Sequence, residues 1–130
     1  MGKVGDVFSC KACAKVEALY YGINDKEKAQ DSLNLLSDIE SMLQEFRMET
    51  EKLDLDKMLN IQIATQYKNA ATQFLHLEDY FNGIKQGKGP SMDDETARKY
   101  VSNLHLIVNS FIDYAKEIDR AHKKDGFEED

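Results

Sequence analysis

Two pairs of side chains in this sequence have the types and spacing to do chemistry. Cys10 and Cys13 stand three positions apart in Cys10-Lys11-Ala12-Cys13, the spacing of a zinc half-site or of a dithiol redox pair. On a helix their sulfurs point about 60° apart, near enough to share one metal ion. A tetrahedral zinc site needs two further ligands. The histidines, His76, His105 and His122, are separated by 29 and 17 residues, far from the roughly three-to-five spacing of zinc modules. A thioredoxin-like dithiol would follow a strand, and no strand is readable here. The expectation is therefore that Cys13 packs as a small apolar residue beside Val16 and Tyr20, that Cys10 lies near an edge, and that no metal or cofactor is bound.

The second pair is Arg98 and His105, seven residues and hence two helical turns apart, on nearly one stripe. An Arg can stabilise charge developing on a phosphate while a neutral His takes a proton from a ribose hydroxyl, the division of labour that phosphodiester cleavage requires. The stretch Arg98-Lys99-Tyr100-Val101-Ser102-Asn103-Leu104-His105 resembles the Arg-then-His motif of the HEPN superfamily, small helical bundles that often act as dimeric ribonucleases. The resemblance implies a nuclease site at Arg98 and His105, across a dimer axis. It departs from that pattern at Lys99, where a polar uncharged or acidic residue, often Asn, is usual. The alternative is that Arg98 pairs with Asp94 or Glu95 and His105 is an exposed flank residue.

Other chemistry finds no support in spacing. A di-metal carboxylate centre needs Glu-x-x-His on two helices, and Glu78, Asp79 and Glu117 have no His three residues on. The glycines at 83, 87 and 89 precede no Lys-Ser or Lys-Thr, so they form no phosphate cradle.

The chain carries 17 Lys and Arg against 24 Asp and Glu, a net charge of −7, which opposes the counterion-release term that drives nucleic-acid binding. Residues 25–52 hold eight acids and four bases and residues 93–130 ten and six. These faces are read as solubilising. No apolar run approaches the roughly 20 residues that cross a bilayer, so no membrane is expected. Two cysteines three apart cannot staple a fold of this length, which suits a cytoplasmic setting.

With 42% hydrophobic residues, a single Pro and no Trp, the composition favours one helical domain over 1–130, frayed at 1–5 and 125–130. Apolar residues cover most of a helical circumference over 6–21, and Gly22 stops that helix. Asn24 or Asp25 caps a second helix with Leu33, Leu36, Ile39, Leu43 and Phe46 at steps of three and four. A tight reversal over 50–56, capped by Asp54, or one long bent helix, leads to a third: Leu59, Ile63, Tyr67, Ala70, Phe74, Leu77, Phe81 and Ile84. Pro90 and the glycines form a loop, and Ser91 or Asp93 caps a fourth helix running to Lys123 and Lys124. The fold class expected is all-α, an up-and-down antiparallel four-helix bundle with one short amino-terminal helix and three long ones.

By elimination, the function expected is non-catalytic protein contact by an adaptor, chaperone, immunity-type or regulatory partner of bacterial or phage origin. Tyr20 with Tyr21 and Tyr80 with Phe81 are adjacent aromatics that should not all face one seam, so some are expected at an interface with a protein partner or a second copy.

Overall fold

The computed structural model describes the backbone of residues 10–124 and the side chains of 11–121. The expectations for the helical start at 6–9 and for the termini at 1–5 and 125–130 lie outside the described residues. Four α-helices and no strand occur among them: α1 (Cys10–Tyr21), α2 (Ala29–Glu51), α3 (Lys57–Gln86) and α4 (Asp94–Lys124), with a single 3₁₀ turn at Lys26–Lys28. Sequence neighbours pack side by side, and α1 closes the ring against α4.

The ends of the helices follow from local chemistry. The α1 helix stops at Gly22, whose N–H reaches Ala18 O at 3.1 Å. Asp25 accepts from Glu27 N at 3.0 Å, so it caps the 3₁₀ turn, and α2 begins only at Ala29. Between α2 and α3 the chain breaks rather than bends. The cap is Asp56, not Asp54: its Oδ2 accepts from Met58 N at 3.1 Å and Leu59 N at 3.3 Å. The side chain of Asp54 stands two residues too early to reach the orphan amides of the first turn. At the far end of α3, Gly87 takes φ 72°, and Lys88 N bonds Gly83 O at 3.1 Å while Gly87 N bonds Ile84 O at 3.2 Å. This double closure satisfies the last carbonyls. Asp93, rather than Ser91, then caps α4 by accepting from Thr96 N at 2.8 Å. The bonds from Thr96 hold the Asp93 carboxyl below its ordinary range.

The helices alternate in direction. Lys85 near the end of α3 reaches Gln30 near the start of α2, while Arg47 late in α2 lies 4.9 Å from the centre of the Tyr67 ring early in α3. His76 of α3 stacks on Tyr100 of α4 at 4.8 Å. The core runs along the middle of the ring, with Leu19, Leu36, Ile39, Leu43, Phe46, Leu77, Leu104 and Phe111 wholly covered. Phe46 and Phe111 meet there at 5.0 Å. At about 1.5 Å per residue, α1 measures about 18 Å against about 45 Å for α3 and α4. It therefore covers the seam between α2 and α4 at the end where Asn24 ties the first turn to Asp94 at 3.3 Å. No described helix is long and apolar enough to cross a membrane.

Candidate functional site: an aromatic groove between the first and last helices

Where α1 lies against α4, a groove of about 310 Å³ opens. Its floor is apolar because Val16 of α1 and Val101 of α4 sit on the inward stripes and are buried. Its walls are polar or aromatic. From α1 come Glu17, Tyr20 and Tyr21, and from α4 come Ser102 and His105. Helical spacing explains the α1 wall: Glu17 precedes Tyr20 by three and Tyr21 by four, so the carboxylate and both rings share one face one turn apart.

The aromatic wall is exposed where aromatics are ordinarily covered. Tyr21 is 82% exposed and Tyr20 39%, and their rings meet edge-on at 5.8 Å. Arg98 of α4 lies 5.9 Å above the Tyr20 ring, and its Nη1 is 3.5 Å from Asp94 Oδ2. Asn24 donates to the same Asp94 oxygen. Arg98 thus has a carboxylate on one side and a ring on the other, which offsets its charge and holds its guanidinium beside the groove.

The residue pairs singled out from sequence fare differently. Arg98 and His105 both stand at this groove, Arg98 through Tyr20 and His105 on the wall itself, where it is half-buried and not exposed as expected, because α1 packs against that side of α4. Of the two carboxylates offered to Arg98, Asp94 is the one it takes. Tyr20 and Tyr21 are at the surface, whereas Tyr80 and Phe81 are both interior, exposed by 1% and 0%. The four rings thus do not all face one interior, as adjacency requires, but Tyr80 and Phe81 are no part of the exposed set. Because α3 is flanked by α2 and α4, its covered arc is wide enough to take two positions about 100° apart. Tyr80 and Phe81 pack edge-on at 5.3 Å, and burial, with the Asp94 carboxylate nearby, pushes the Tyr80 phenol up.

Cys13 is half-buried against the core, and its Sγ donates to Asn109 Oδ1 of α4 at 3.7 Å. The side chain of Cys10 lies outside the described residues. Among those described, no three His, Cys, Asp or Glu gather as a metal site would need. Two other hollows differ in kind from the aromatic groove. In the one at the turn between α2 and α3, Arg47 and Glu51 pair at 3.7 Å. The one under the α3 to α4 loop is walled by Asp79, Lys88 and small polar or glycine residues.

Glu17 and Ser102 were not identified from sequence. The signal for Glu17 was present in its four-residue offset from Tyr21, whereas the meeting of that stripe with Ser102 and His105 needs the α1 to α4 contact. No family model matches this chain, and no curated protein or solved structure does so either.

Proposed function

We propose that this chain is a non-catalytic helical bundle that works by protein contact, in the cytosol of a bacterium or of a cell hosting its virus, and that the groove between α1 and α4 is its docking face. The observation that carries this reading is the exposed pair Tyr20 and Tyr21 lining a groove between α1 and α4. Large rings with a polar tip give contact area at low entropic cost and are enriched where proteins meet. With Tyr80 and Phe81 interior, the docking face is assigned to the first aromatic pair alone. The ribonuclease reading of Arg98 and His105 has less behind it, because the Arg98 guanidinium is occupied by Asp94 and Tyr20.

The test is affinity capture from the native host with the wild-type chain and with Tyr21→Ser, alongside sedimentation of the purified protein to detect a second copy. A partner or self-association lost in the variant is expected. A monomer that captures nothing, or the same proteins captured by both chains, overturns the reading.

A further inference from the structure

Resting on that docking face, we infer that the groove takes an arginine side chain from a basic segment of the partner protein. Three features of the groove converge on a cation. First, Glu17 lines it and makes no ion pair among the described residues. Second, Tyr20 and Tyr21 line the same groove with two rings 82° apart in plane, and ring faces attract guanidinium groups. Third, the molecule itself shows the match twice, with Arg98 over Tyr20 and Arg47 over Tyr67, while Tyr21 stays 82% exposed.

Beside this wall Arg98 is offset by Asp94 at 3.5 Å and the stem of Lys28 packs near Gly22, while the whole chain carries a net charge of −7. That net charge steers a basic segment toward the protein and repels an acidic one. The exposed rings of Tyr20 and Tyr21 offer the apolar surface along which the methylene stem that precedes a guanidinium can lie. An arginine fits better than a lysine because its planar head can lie flat on a ring while its edge N–H groups reach a carboxylate.

The test is an amide-resolved NMR titration of the full chain at low salt. The probes are a short capped Gly/Ser peptide carrying two central arginines and its counterpart carrying citrulline, which keeps the shape and removes the charge. Saturable shifts confined to the amides of 16–22 and 101–106 are expected with the arginine peptide and not with citrulline. Glu17→Gln and Tyr21→Leu should each weaken binding about two- to five-fold, the scale of an exposed ion pair or cation and ring contact. The double variant should weaken it more than either single change, though not by their product, because both groups act on one guanidinium. Both positions are exposed, so circular dichroism should show unchanged folding. Glu45→Gln, an exposed acid on α2, should leave binding unchanged. Equal weakening by Glu45→Gln shows diffuse attraction to net charge and overturns the assignment. Equal binding of the citrulline peptide at the same amides overturns the cation while leaving groove docking intact. Shifts elsewhere, with Tyr21→Ser still capturing the same host proteins, overturn both.

Discussion

Gly83→Ala separates what helix propensity dictates from what the fold dictates. Gly83 lies inside α3, where exchanging Gly for Ala in an open helix adds about 1 kcal/mol of stability. Here the site is closed. A Cβ on Gly83 would stand 2.8 Å from Gly89 O and 3.3 Å from Pro90 Cα, both backbone atoms, whereas ordinary contact begins at 3.4 Å. The loop cannot swing away freely, because Lys88 N is bonded to the Gly83 carbonyl itself. Overpacking of this kind costs about 1–3 kcal/mol, which outweighs the propensity gain and leaves a net loss of about 1 kcal/mol. Thermal unfolding should shift down by about 3–5 °C, with the urea m value unchanged. Gly87→Ala is the contrast: nothing stands within 4 Å of its Cβ, and the cost there is the left-handed φ of 72° alone, about 1 kcal/mol. Asn tolerates that conformation, so Gly87→Asn should recover part of the loss while Gly83→Asn recovers none. A Gly83→Ala protein that melts higher than wild type would refute the close approach of loop and helix on which this rests.

Two further outcomes follow from named contacts. Asp56→Ala removes the acceptor of two first-turn amides of α3 and should cost about 1 kcal/mol. Chemical denaturation checks this, and Asp54→Ala should cost far less. Burial, and then the Glu40 carboxylate, hold the Glu78 carboxyl above its ordinary value of 4.5. A carboxyl raised on folding favours the folded state when protonated, fully so below the unfolded value, and that contribution is lost as pH rises through the folded pKa. Glu78→Gln should therefore raise the urea midpoint at pH 7, with the gain shrinking toward pH 4. An equal gain at both pH values would contradict the raised carboxyl.

The four helices were legible in the sequence because each must bury one stripe, and Leu36, Leu43, Phe74 and Leu104 announce those stripes at steps of three and four. The cap of α4 was legible to within two residues, since Asp93 and Thr96 stand at the capping offset. The start of α3 was misplaced because Asp54 and Asp56 are equally good caps in isolation. What selects Asp56 is the register in which Leu59 and Ile63 reach the core. At the groove, Tyr20 and Tyr21 were legible as residue types and Arg98 and His105 as a spacing, but not as neighbours of one another.

Local patterning alone determined that this protein is helical, where its helices lie, and that its acid residues leave it with a negative field. Those properties depend on periods of three and four residues and on composition, which a linear chain carries openly. Tertiary structure decided which aromatics are covered, which carboxylate Arg98 takes, and that Glu17 shares a groove with His105. The first and last of these depend on residues far apart in sequence being brought together, whereas Arg98 and Asp94 lie one turn apart on α4 and their pairing is local. Adjacent rings such as Tyr80 and Phe81, or Tyr20 and Tyr21, look alike in one dimension; the first pair lies in α3, on which the 3₁₀ turn packs as well as α2 and α4, while the second pair ends the short α1.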